Sequence, residues 1–199
     1  MQDFNLSPHF TFKEMCSTTW REGYIARNEE IGNSEPYITY MTTICETILE
    51  PLRRKFMSPV IIASGLRYAE VVNGTWKGLD VAIRSVRQQN NYDGRSQHVL
   101  GKAVDLHVIG VPERTVWEWI KDSCPNPYGQ CIYEVGGRSV WVHVSLPGYK
   151  IQSRDGGFLY GETYDAYQDS LGRWCYKLVS NEDRWGTDVR QQWESNRDR

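Results

Sequence analysis

Two runs rich in β-branched and aromatic residues, 130–135 and 140–146, flank Gly136-Gly137-Arg138-Ser139 and constrain this chain most. Glycine supplies the backbone freedom of a tight reversal, so the pair reads as a β-hairpin. Upstream, residues 35–56 place Ile38, Met41, Ile44, Cys45, Ile48, Leu49 and Leu52 at three- and four-residue steps. That is the period of an amphipathic helix, with Pro36 suited to its first turn. Thr11, followed three residues later by Glu14, predicts a capping box and a short helix from near Phe12. Strands are predicted at 59–65 and 103–109, and a helix over 112–121 with Val116, Trp117 and Ile120 on one side. The order gives an α+β class: helices packed on a small, mostly antiparallel sheet. Residues 73–95, rich in Gly, Asn and Gln, read as an irregular connection with a helical turn near 81–88.

After Pro147-Gly148 the composition shifts toward Tyr, Trp, Gly and Asp. The expected division is therefore a main domain over 1–148 and an aromatic-rich extension over 149–199 of unassigned role. Segments 158–160 and 174–179 in it look strand-like, and 186–199 reads equally as a helix or a frayed tail. The 199 residues, 40% apolar and 24% charged, suit one soluble domain with an appendage and exclude a disordered or fibrous chain. A net charge of -2 with scattered basic residues argues against nucleic acid as a partner. No stretch approaches the roughly 18 apolar residues of a membrane span. Residues 1–11 lack the basic-then-apolar pattern of a signal peptide, so synthesis in the cytoplasm is expected. Five cysteines, odd in number and without a C-x-x-C pair, predict buried thiols. Eight Trp and twelve Tyr suit either a core of large side chains or a surface that binds glycan or protein.

The chemistry concentrates in Ser96-Gln97-His98-Val99-Leu100-Gly101-Lys102-Ala103-Val104-Asp105. A loop His and a strand Asp seven residues on are both zinc-ligand types, and the small Gly101 and Ala103 let the backbone turn closely beneath a metal. His143 lies mid-strand in Trp141-Val142-His143-Val144-Ser145. Strand alternation sends Val142 and Val144 to one face and Trp141, His143 and Ser145 to the other. Alone, such a histidine is more often structural. Glu134 precedes it on the other arm of the hairpin, where an even-length loop makes the two direct or diagonal neighbours on one face. A carboxylate there can take a proton from water and pass it to a leaving amine. His107 shares a strand face with Asp105, which suits either orienting a metal ligand from behind or an unrelated surface role.

These segments resemble the S-x-H-x-x-G-x-A-x-D and W-x-H motifs of the D-alanyl-D-alanine carboxypeptidase family. That family of zinc metallopeptidases includes phage and bacterial peptidoglycan peptidases and is similar in fold to Hedgehog signalling domains. The resemblance runs over residues 6–146 and takes in Leu6-Ser7-Pro8-His9-Phe10, Glu50-Pro51-Leu52-Arg53, Ser64-Gly65-Leu66-Arg67 and Val72-Asn73. It implies Zn2+ held by His98, Asp105 and His143, Glu134 as general base, and Arg67 gripping a substrate carboxylate. Ser96, Gln97 and Gln130 would be polar contacts to substrate. Val140 stands where many members carry their catalytic Glu, whereas the placing of Glu134 resembles a shorter phage-like branch. Gly129 stands where that branch commonly has an acidic residue.

The implied function is hydrolysis of peptidoglycan peptides by a D-Ala-D-Ala carboxypeptidase or a stem or cross-bridge endopeptidase. A phage lysis enzyme (endolysin) or a virion component acting on the cell wall would fit, with residues 149–199 offering a surface for an assembly partner. The alternative is a zinc-bearing structural or binding module with the same fold and no needed peptidase activity.

Overall fold

Thr11 closes a two-stranded ribbon, β1 (Asn5–Ser7) with β2 (Phe10–Thr11), and opens helix α1 (Phe12–Cys16). Its hydroxyl accepts the Glu14 N–H at 3.3 Å, while the Glu14 carboxylate accepts the Thr11 N–H at 2.7 Å. The expected capping box is present, and it satisfies two otherwise orphaned donors of the first turn. The computed structural model describes residues 2–84, 89, 96–149, 158–181, 184–186, 189 and 191–192. The chain forms two compact units, Met1–Glu46 with Ile62–Val104, and Thr47–Ile61 with Asp105–Arg199. Among the described residues no helix is long and apolar enough to cross a membrane.

In the first unit, α2 (Ile25–Gly32) and α3 (Tyr37–Ile44) follow α1. The helix expected over 35–56 is three pieces: α3, a π-helical turn Cys45–Leu49, and α4 (Glu50–Phe56). Proline is the physical reason for the break. Pro51 has no N–H and its ring would press on the carbonyl of Thr47, so the wider turn relieves the clash. The freed Thr47 carbonyl instead accepts the Asn126 side-chain amide at 2.9 Å. The apolar stripe survives, with Met41, Ile44, Cys45, Ile48, Leu49 and Leu52 all fully buried.

The irregular connection expected from residue 73 is corrected by a hairpin, β4 (Glu70–Val72) with β5 (Thr75–Lys77), numbered after the strand β3 (Val60–Ser64). Asn73 and Gly74 turn it with φ of 50° and 73°, the paired positive values of a tight hairpin turn. A short helix, α5 (Leu79–Ala82), follows. The helical turn expected near 81–88 thus begins earlier, and 85–88 lie outside the described residues.

The main sheet has six strands in the order β12-β11-β7-β8-β6-β3. Its remaining members are β6 (Ala103–Val108), β7 (Gln130–Gly136), β8 (Ser139–Ser145), β11 (Glu162–Gln168) and β12 (Trp174–Asn181). A separate small pair is β9 (Gly148–Tyr149) with β10 (Phe158–Leu159). The chain passes between units within β3 and β6. β7 pairs antiparallel with β8 across Gly137-Arg138, a turn two residues shorter than the expected loop because Gly136 and Ser139 join the ladder. β11 was not anticipated. It runs parallel to β7 and antiparallel to β12, so residues 162–181 contribute two strands to the sheet. Most of 186–199, where a terminal helix was one reading, lies outside the described residues.

Helix α6 (Glu113–Ser123) covers one face of these strands. Arg114 pairs with Asp165 at 2.7 Å and lies 4.0 Å over the Tyr133 ring, and Trp117 donates its indole N–H to the Cys131 carbonyl. Val116, Trp117 and Ile120 are buried there with Cys131, Val142 and Val144. No disulfide joins the five cysteines, of which four are buried and Cys175 is half-buried. Burial first, then Glu29, pushes the Cys16 thiol up to about 12. It therefore stays a protonated, inert group at neutral pH.

Candidate metal centre

His98 sits in a 3-10 turn, Gln97–Leu100, that ends at Gly101. The φ of Gly101 is 68°, and a Cβ there would come within 3.3 Å of the Tyr37 ring, so glycine suits this position on both counts. The His98 ring presents Nδ1 to the Gly65 carbonyl at 2.8 Å. A carbonyl only accepts, so Nδ1 carries the proton and Nε2 keeps the lone pair a metal requires. The His98 carbonyl in turn accepts the backbone N–H of Arg67 at 3.2 Å.

Asp105 on β6 and His143 on β8 meet through Oδ1 and Nδ1 at 3.0 Å. The candidate ligand atoms of His98, Asp105 and His143 all lie within 4.8 Å of one another. His98 and Asp105 are each 3% exposed and His143 9%. Zinc bonds of about 2.0–2.2 Å place neighbouring tetrahedral ligands roughly 3.3 Å apart, so the Asp105–His143 separation fits shared ligation. Among the described residues no fourth His, Cys, Asp or Glu joins the group. Two imidazoles and one carboxylate with an open position are the donor set of a catalytic zinc site, whereas a structural site is closed by a fourth protein ligand.

Register places the other candidates. Ile132 lies opposite His143 and Glu134 opposite Trp141, so Glu134 and His143 share a face as diagonal neighbours. Gln130 begins the same strand. Its side-chain amide donates to Glu162 Oε2 at 3.4 Å, and the Tyr164 hydroxyl donates to that oxygen at 2.8 Å. The parallel register pairs Glu162 with Gln130 and Tyr164 with Ile132, which puts both on the face of His143. Burial, and then the bond to Glu162, raise the Tyr164 phenol above its ordinary value, so it remains a donor. Sequence reasoning missed Glu162 and Tyr164, because residues 162–168 carry polar side chains on both alternating sides and give no local signal for the face these two join.

Arg67 is buried, with Nε donating to Ser64 Oγ at 2.8 Å. Its Nη1 stands 3.9 Å from Asp80 Oδ1, and the other oxygen of that fully buried carboxylate takes Arg84 at 2.9 Å. Ser96 caps the turn that carries His98. Gln97 Oε1 is buried without a protein hydrogen-bond donor among the described residues. His107 directs Nδ1 to Glu113 at 3.1 Å, a partner at the start of α6 outside the metal-ligand group. Lys102 lies 4.0 Å over the Tyr40 ring, and burial lowers its ammonium below the usual value.

The profile of the peptidase M15 family matches residues 8–145. The chain belongs to that family. M15 peptidases are zinc-dependent hydrolases of peptide bonds, so the family calls for the kind of donor set that His98, Asp105 and His143 bring together. The M15 match ends at the last residue of β8, and β11 and β12 lie beyond it. No curated protein and no solved structure matches this M15 chain.

Proposed function

We propose that this protein is a zinc-dependent peptidase of peptidoglycan, cutting terminal D-Ala-D-Ala or an internal stem or cross-bridge bond. The observation that carries the proposal is the convergence of His98, Asp105 and His143 in a chain of the M15 family. These three residues would hold zinc, which when bound supplies Lewis acidity at the scissile carbonyl. Glu134, diagonal to His143, takes the proton of the attacking water and delivers it to the leaving amine. Arg67 offers its planar fork to a substrate carboxylate, with Ser64 and Asp80 holding the guanidinium from behind. Ser96, Gln97 and Gln130 supply polar contacts, and the buried Gln97 Oε1 supports this role because a substrate N–H could satisfy it. The placing of Glu134 one strand before His143 resembles the phage-like branch and supports a lysis or virion-associated setting at the cell wall.

Zinc-loaded protein incubated with purified peptidoglycan should release products that mass spectrometry assigns to one bond type, and a chelator should stop the release. Intact peptidoglycan after digestion with zinc-loaded protein would instead favour a module without peptidase activity. Arg67→Lys should raise KM for peptides ending in a free carboxylate, because an ammonium cannot reproduce the two-pronged contact. Equal cleavage of free and amidated peptides by both proteins would remove Arg67 from carboxylate recognition and favour an endopeptidase.

A further inference from the structure

The aromatic residues gather into a row that the metal chemistry leaves unused. Trp141 lies on the sheet face of His143 and Glu134. Glu134 pairs with Ala166, Ala166 with Tyr176, and Gln168 with Trp174, so Trp174 and Tyr176 of β12 fall on that same face. The Trp141 and Trp174 rings meet edge to face with centroids 5.7 Å apart, and Trp174 lies 6.2 Å from Tyr176 at a tilt of 32°. Gly136 makes the meeting possible. A Cβ there would stand 2.9 Å from the Trp141 ring and 3.2 Å from Trp174, so any larger residue would drive the indoles apart.

Exposure rises along the row, from 7% at Trp141 through a half-buried Trp174 to 55% at Tyr176. On the inner side stand Gln130, Glu162 and the Tyr164 hydroxyl, already joined by hydrogen bonds. A pyranose ring presents a flat face of C–H bonds rimmed by hydroxyl and amide groups. Aromatic π faces carry negative partial charge and suit that C–H face, while a carboxylate and an amide suit the rim. Leu178, 52% exposed on the same face, extends the row by one aliphatic side chain, but the polar groups of Gln130, Glu162 and Tyr164 there suit the hydroxyl rim of a sugar better than an apolar protein partner.

We propose that Trp141, Trp174 and Tyr176 form a saccharide subsite that takes an N-acetylated sugar ring of the glycan strand. This rests on the peptidoglycan reading, in that the stem peptide to be cut hangs from such a strand. β11 and β12 thereby become part of the substrate surface, although they lie outside the family match.

The test is titration of the full chain with chitotetraose, an oligomer of N-acetylglucosamine, followed by tryptophan emission. Wild type should give a saturable change. Tyr176→Ala, at an exposed position that leaves the core intact, should weaken binding about fivefold or more, the loss of one ring contact. Lys177→Ala points to the opposite face and should bind as wild type does. An unsaturable wild-type titration, or equal affinity after Tyr176→Ala, overturns the subsite. A Tyr176→Ala effect on self-association alone also overturns it and assigns the face to a second copy. Cleavage of sugar-free stem peptides, measured separately, keeps the two readings apart. Cleavage without saccharide binding removes the subsite and leaves the peptidase, and saccharide binding without cleavage does the reverse.

Discussion

The two faces of the sheet around β7 and β8 are built from alternate residues of the same strands and differ in nearly every property. Behind lie Cys131, Val142, Val144 and Thr163, all fully buried, with α6 laid over them. In front lie Glu134, His143, Glu162 and Tyr164, polar groups joined or aligned through ladder register. A period of two thus lets Val142 support the fold while His143 joins the candidate metal group one residue on. The lesson is that stability and chemistry are separable here by a single step along the chain. Substitutions on the two faces should therefore fail in different assays.

The largest effect is expected in front. His143→Ala removes one of the three proposed donors, so zinc content and peptidase activity should fall together while the sheet still folds. Elemental analysis of the purified variant decides it, and stoichiometric zinc in His143→Ala would break the assignment. Behind the sheet, Ile120→Ala empties a fully buried position on α6. The cost should be about 2–5 kcal/mol in urea unfolding, with turnover of the remaining folded protein close to wild type. A tenfold fall in that turnover would show that the faces are coupled.

Glu134→Gln sharpens the contrast from the other side. The amide keeps size and shape but cannot accept the proton, so kcat should drop roughly 10²-fold, equivalent to about 2.7 kcal/mol of barrier. Zinc content and unfolding midpoint should stay near wild type. Unchanged turnover with zinc retained would place the base elsewhere.

Much of this division is written locally. The Val-His-Val alternation of β8, the glycine-centred hairpin and the Thr11–Glu14 cap each depend on residues a few positions apart, where periodicity carries the signal. The Asn73-Gly74 turn is equally local, but the Gly-, Asn- and Gln-rich stretch 73–95 reads as an irregular connection and conceals the hairpin. β11 is different. Polar groups occupy both of its sides, Glu162, Tyr164 and Gln168 on one and Thr163 and Asp165 on the other, and its partner β7 lies some thirty residues upstream in a parallel register that no local period encodes. The contribution of Glu162 and Tyr164 to the front face became visible only with that pairing. The π turn at 45–49 follows from Pro51, but an uninterrupted apolar stripe conceals it.

The smallest expected effect belongs to neither face and tests what sets their register at the edge. Between β11 and β12, Asp169 Oδ1 accepts the backbone N–H groups of Leu171 and Arg173, each at 2.9 Å, and Oδ2 accepts Arg173 Nε at 2.7 Å. This turn is closed by the Gln168–Trp174 pair and so helps decide which face Trp174 presents. The backbone N–H of Arg173, and then its side chain, hold the Asp169 carboxyl below its usual value. A carboxyl lowered in the folded state stabilises it fully above the unfolded value of about 3.9, and that contribution disappears as pH falls through the lowered value. The site is at the surface, so the effect should be small and weaken further in high salt. Asp169→Asn should therefore unfold at slightly lower urea than wild type at neutral pH, with the two midpoints converging in acid. A gap that stays constant from neutral pH into acid would mean that the carboxylate charge does not hold the turn, and that the strand pairing alone fixes Trp174 on the front face.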